Sequence, residues 1–200
     1  MDNKENVITT ECLSDIFSKN EAKLNAHFAT NREQMLADLV LHLNALCAIA
    51  NWQQNEGTKS QISYLHIAYL RSSILSGSYD FRLSMLTDKF WLDSTETAVY
   101  WKHDFAFMYV SSDIDEMSNR LREKHRLLEF EVDELRYKYA LLYLPKALDS
   151  IKDLMPDAIS KSDMATLSLN PDYSIILGGH MEESTVISPL EQAALEVDTL

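Results

Sequence analysis

Tyr79-Asp-Phe-Arg-Leu-Ser-Met85 is where the period of the sequence changes, and its reading decides whether the chain contains a sheet at all. Tyr79, Phe81, Leu83 and Met85 alternate with polar residues, the pattern of a strand with one buried face. Phe90-Trp-Leu92 comes next across a Thr-Asp-Lys turn and is read as the returning strand of a hairpin over 79–92. A lone hairpin is marginal in water, so this one would have to lie on helices. The competing reading is a helix running through 79–86.

Outward from this stretch the spacing is helical. Upstream, Cys12, Leu13, Ile16, Phe17, Leu24 and Phe28 predict a first helix over 9–29. Thr30-Asn-Arg-Glu33 reads as a capping box that opens a second helix. The face of that helix is Met35, Leu36, Leu39, Val40, Leu43, Leu46, Cys47 and Ala50, wide enough for two neighbours. Gln53 to Ser60 closes it, and a third helix is predicted from Gln61 to Leu75, stopped by Ser76-Gly-Ser78.

Downstream, Val99, Tyr100, Phe107 and Val110 predict a helix over 95–110. A long helix is then predicted over 113–155, kinked but not ended by Pro145. In it Ile114, Leu121, Leu128, Leu135 and Leu142 repeat every seventh residue. A two-stranded zipper also needs apolar residues three positions on; of Met117, Lys124, Glu131, Lys138 and Pro145, only the first qualifies. The stripe is therefore read as core packing, with any overhang of the helix closing on a second copy as a homodimer. The expected fold class is mainly α: a single domain over 1–187, a bundle of about five helices dominated by one kinked helix, with 79–92 as the only β element. Residues 188–200 read as an acidic tail, since the last twenty residues hold five acids and no Lys or Arg.

Composition narrows the function. With 4 glycines and 4 prolines in 200 residues, turns are few and elements long. Gly178-Gly179 is the only glycine pair, so glycine-rich phosphate-binding loops are excluded. A net charge of -13 repels nucleic acid and anionic membranes, and favours partners with basic or apolar protein surfaces. The acidic start Met1-Asp-Asn-Lys-Glu lacks the basic and apolar regions of a signal peptide, and Cys12 and Cys47 read as reduced core residues, which together suggest the cytoplasm.

Between Tyr79 and Tyr109 lie nine aromatic residues; of these Trp91, Trp101, Tyr100 and Phe105 are the candidate partner-binding anchors, beside charged neighbours that ought to face water. His42, His66, His103 and His125 fall on apolar faces and are weak metal candidates, without the spacing of any known ligand motif. No cofactor is implied. His180-Met-Glu-Glu183 sets an imidazole beside two carboxylates after the glycine pair, with no residue to orient them. Arg120, Arg122, Lys124 and Arg126 interleave with glutamates as a solvated helix face. The expected function is a non-enzymatic protein-interaction module of adaptor, regulator or inhibitor type. The alternatives are a metal-binding or enzymatic bundle using core histidines, and an acidic mimic of nucleic acid.

Overall fold

In the computed structural model, residues 3–122, 128–182 and 184–187 are described. The chain opens with a single helix, α1, over Asn3–Asn55. At 1.5 Å per residue its 53 residues extend for about 80 Å. Thr30 does not start a second helix. Its hydroxyl donates to the Ala26 carbonyl one turn back, 2.9 Å away, so the capping signature is absorbed within a continuous ladder. The helix ends where Gly57 takes the left-handed conformation (φ 69°), and the Thr58 amide donates to the Gln53 carbonyl at 3.0 Å.

A five-stranded sheet overturns the expected helical bundle in which 79–92 was the only β element. Ile62–Tyr69 is not helical but the central strand β1, succeeded by the short helix α2 over Arg71–Ser76, which Gly77 terminates at φ 75°. Strand β2 covers Asp80–Leu86. Its antiparallel neighbour is not Phe90–Leu92, which forms a 3-10 turn, but β3 over Ala98–Lys102, inside the segment read as the 95–110 helix. Helices α3 (Asp104–Phe107), α4 (Val110–Arg122) and α5 (Glu129–Lys161) come next. Strands β4 (Leu169–Gly179) and β5 (Ser184–Ile187) complete the sheet, ordered β3-β2-β1-β4-β5. Only β1 and β4 run parallel; the other neighbours are antiparallel.

β1 escaped a period-based reading because it is central and buried on both faces, so apolar residues fill both of its phases. Ile62, His66 and Leu70 then imitate a helical face.

The single 113–155 helix is also revised. α4 ends at Arg122, and α5 begins at Glu129, where the Glu131 carboxylate accepts the Leu128 amide at 2.7 Å. α5 then passes through both Pro145 and Pro156 without ending. Of the seventh-residue stripe, Ile114 and Leu135 are buried, Leu142 packs against the core, and Leu128 at the helix start is exposed. Residues 123–127, with His125, Lys124 and Arg126, lie outside the described residues, as do Glu183 and 188–200. The side chains of Cys12, Arg120, Leu121 and Arg122 fall outside the description as well.

All the long helices lie on one face of the sheet. α1 packs on α5, β2 and β3, and α5 packs on α3 and α4. Between helices and sheet the core closes: Leu36, Leu39, Leu43 and Leu46 from α1, Leu65 and Ile67 from β1, Phe81, Leu83 and Met85 from β2, and Ala147, Ile151 and Leu154 from α5. Part of α1, within Leu13–Asn55, is by length and mean hydropathy (1.4) apolar enough to cross a membrane, a test that the core helix of a soluble protein also passes. Much of that hydropathy belongs to residues facing this core.

Three polar ties fix the helices. The Asp113 carboxylate on α4 accepts from Asn20 of α1 at 2.8 Å and from Tyr139 and Tyr143 of α5 at 2.5 and 3.3 Å, all inside the core. Arg32 of α1 bridges Asp153 and Asp157 of α5 at 3.0 and 2.8 Å. Trp101 of β3 donates its indole N–H to Asp38 of α1 at 2.7 Å.

Candidate functional site

Strand alternation turns a second set of residues to the opposite face of the sheet, which carries no long helix among the described residues. Register places Ala98, Ser84, His66, Ile176 and Val186 in one row across all five strands. Beside it runs a second row of Tyr100, Arg82, Ala68, Gly178 and Ser184. At about 4.8 Å between strands, the row from Tyr100 on one edge to β5 on the other is about 19 Å wide.

The β2–β3 connection, residues 87–97, folds onto the centre of this face. Lys59, its side chain fully buried, clamps it by donating to the Asp93 carboxylate at 2.8 Å and to the Thr95 carbonyl at 2.9 Å. Burial alone would raise the Asp93 carboxyl, but Lys59 and the Thr95 and Thr87 amides hold it below the usual carboxylate range. Gln53, at the end of α1, donates to the Glu96 carbonyl and accepts from the Thr97 hydroxyl. So anchored, the connection presents Phe90-Trp91-Leu92 as a 3-10 turn. Phe90 has φ 54°, a left-handed conformation that bulky residues rarely adopt and that persists only where surrounding contacts enforce it.

Those contacts are aromatic. Phe90 meets Tyr64 edge-on at 5.2 Å, and Trp91 stands edge-on to His66 at 5.3 Å and to His180 at 5.0 Å. His66 is 1% exposed, and neither ring nitrogen has a hydrogen-bond partner among the described residues. Nor does the buried hydroxyl of Ser84, its cross-strand neighbour. Burial, reinforced by His180 and Arg82, lowers His66 to about 4, so it is a neutral imidazole at pH 7. His180 is lowered by burial and by Arg82, against a raising influence from Glu96. Met181, next along the chain, is another bulky residue at positive φ (60°), as is Tyr79 (55°) immediately before β2.

Around this buried centre the surface is mixed: Tyr100 and Val186 face outward by strand register, Arg82 pairs with the exposed Glu96 at 2.7 Å, and Leu92 and Met181 stand exposed in the adjoining turns. Leu92 is 86% exposed, Met181 70%, Val186 61% and Tyr100 59%. Tyr100 points outward because β3 alternates: Trp101, one residue on, faces the core beside Phe81 at 6.0 Å. Of the four aromatic anchor candidates, then, Tyr100 projects into solvent, Trp91 is half-buried over the histidines, Phe105 is half-buried against His27, and Trp101 is a core residue.

The other histidines have local roles. His42 Nδ1 lies 2.8 Å from the Asp38 carbonyl on its own helix. His103 is buried between Phe28, Phe81 and Trp101, and burial lowers it to about 4. Its Nε2 lies 2.8 Å from Ser150 Oγ, at the edge of a cleft of about 240 Å³ between α1 and α5. The Ser150 hydroxyl is also placed to donate to the Ala147 carbonyl at 2.8 Å, and in that arrangement His103 donates to Ser150, the reverse of the polarity that activates a serine nucleophile. Among the described residues no group of three or more His, Cys, Asp and Glu side chains is placed to hold a metal ion. The loop carboxylate Glu182 is engaged too, accepting from Tyr69 at 2.8 Å and pairing with Arg71 at 2.5 Å.

The sequence pointed to Trp91 and Tyr100 but missed Leu92, Met181 and Val186. Isolated apolar residues in polar surroundings signal nothing about whether the fold will bury them or leave them exposed. Comparison of the chain with protein-family models, with curated proteins and with solved structures finds no match.

Proposed function

We propose that the chain is a protein-interaction module that docks a partner protein on the face of its sheet opposite α1 and α5. The observation that carries this reading is the set of large apolar side chains, Leu92, Tyr100, Met181 and Val186, held in solvent around a rigidly clamped aromatic turn. Exposed apolar groups on a preorganised surface lower the entropic cost of association and supply the anchors that dominate interface energetics. Phe90 and Met181, strained and adjacent to this face, fit a surface whose shape is maintained for recognition. The net charge of -13 favours a partner with a basic rim around an apolar centre, and association that slows as salt rises.

Site-specific photo-crosslinking tests the reading. A benzophenone side chain is placed at Tyr100 or Leu92, and as a control at Asp149 on the exposed side of α5. One protein other than the chain itself should be captured from both face positions and not from the control, with capture declining in 0.5 M salt. Identical products from face and control positions, or none from the face, would refute it.

A further inference from the structure

The outward side of α1 is apolar as well. At 100° per residue, Ala37, Leu41, Ala45, Ala48 and Trp52 fall within an arc of about 80°, opposite Leu39, Leu43 and Ala50 in the core. All five are exposed, Leu41 by 66% and Trp52 by 63%, and no charged residue interrupts them. Exposed Gln34 and Asn55 mark the two ends of the stripe. A helix that is apolar on both sides is characteristic of one covered on both sides.

The spacing of large and small residues identifies the cover. Turn the stripe end over end about a two-fold axis near Asn44 and Ala45. Trp52 then meets Ala37, Leu41 meets Ala48, Ala45 lies beside its own mate, and Gln34 meets Asn55. Every large side chain faces a small one, and the terminal amides face each other. A parallel pairing would instead set Trp52 on Trp52 and Leu41 on Leu41, leaving gaps at the alanines. We infer that α1 pairs antiparallel with α1 of a second copy, forming an isologous two-fold dimer through this stripe.

From Gln34 to Asn55 the contact is about 32 Å long, a single helix pair at the small end of specific interfaces, so the dimer is a weak, reversible one. Two copies each carrying -13 repel one another, so added salt should tighten the dimer. That is opposite to the salt response of the partner docking proposed above, so the two readings can fail separately.

The test is sedimentation equilibrium of the full chain from about 1 to 300 μM at low salt and in 0.5 M salt. The expected result is a monomer–dimer equilibrium that strengthens with salt. Ala45→Glu sets two carboxylates against each other at the axis, on a solvent-facing position, and should raise the dissociation constant at least 30-fold while leaving the far-ultraviolet spectrum and melting temperature unchanged. Disulfide trapping in a Cys12→Ser background then reads orientation. Ala45→Cys should cross-link with itself. Ala37→Cys and Trp52→Cys should cross-link when mixed and not separately. A monomer throughout the concentration range would overturn the inference, as would Ala37→Cys or Trp52→Cys linking to itself as readily as to the other. So would binding of the stripe to neutral phospholipid vesicles by a chain that stays monomeric.

Discussion

His66 and His103 show how the same residue type is buried under two different constraints. Both are lowered to about 4 by burial, from an ordinary value near 6.5. A depressed histidine favours the folded state while neutral, so its contribution is complete above pH 6.5 and is lost as pH falls from 6.5 towards 4. Each shift corresponds to about 3 kcal/mol across that window. Urea unfolding between pH 7.5 and 4.5 should show stability falling by up to about 3 kcal/mol per pH unit, and His66→Phe should roughly halve that slope. Because the His66 nitrogens bond to nothing among the described residues, the same variant should lose no more than about 1 kcal/mol at pH 7.5. Asp113 is the contrary case. Asn20, Tyr139 and Tyr143 all direct donors at its carboxylate. Burial pushes Tyr143 up to about 12, with Asp113 adding to the rise and the Tyr139 and Asn20 contacts opposing it. Asp113→Asn turns an amide N–H toward those donors and should cost about 2–3 kcal/mol, a fall of about 5–10 °C in Tm by calorimetry. Nothing in the spacing of Asn20, Asp113, Tyr139 and Tyr143 announces this network, because its members come from three helices.

Among the elements, the 87–97 connection depends most on a single residue. Lys59 lies in the turn after α1, far from the connection in sequence, and its ammonium neutralises Asp93 within the protein. Lys59→Met leaves Asp93 buried and unpaired, which should cost about 3–5 kcal/mol and open residues 87–97 to limited proteolysis. Adding Asp93→Asn should recover at least half of that loss. An equal or larger loss in the double variant would show that packing, and not the ion pair, holds the connection. Elements were legible where large apolar residues kept to one phase of the repeat. Met35, Leu36, Leu39, Leu43 and Leu46 mark the inner side of α1 at helical spacing, and the alternation of Phe81, Leu83 and Met85 marks the inner side of β2. They were illegible where both faces were filled, as in β1, or too short to set a period, as in β3 with five residues.

At the scale of the molecule, the parallel pairing of β1 with β4 governs assembly. β4 can join the sheet only after the chain has passed through β2, β3 and the helical layer, and it then covers β1 along Tyr64–Tyr69. A chain ending at Lys161 would leave β1 at an edge, with Leu65 and Ile67 short of their Ile175 and Leu177 neighbours, and should fail to give a cooperative melt. In the full chain, amide exchange should be slowest in β1, bonded on both sides, and faster in the edge strands β3 and β5. Equal protection of β1 and β5 would contradict this order.

The sequence by itself determined which residues seek burial, that helices dominate the length of the chain, and that the surface is strongly acidic. These properties are local: they arise from side-chain chemistry and from repeats within one segment. Only the tertiary structure decided that Ile62–Tyr69 is a central strand, that Asp113 gathers donors from α1 and α5, and that Tyr100 and Val186 share a face with His66. Each of these depends on pairing between residues distant in the chain, and a strand, unlike a helix, makes its backbone hydrogen bonds with partners that its own sequence does not contain.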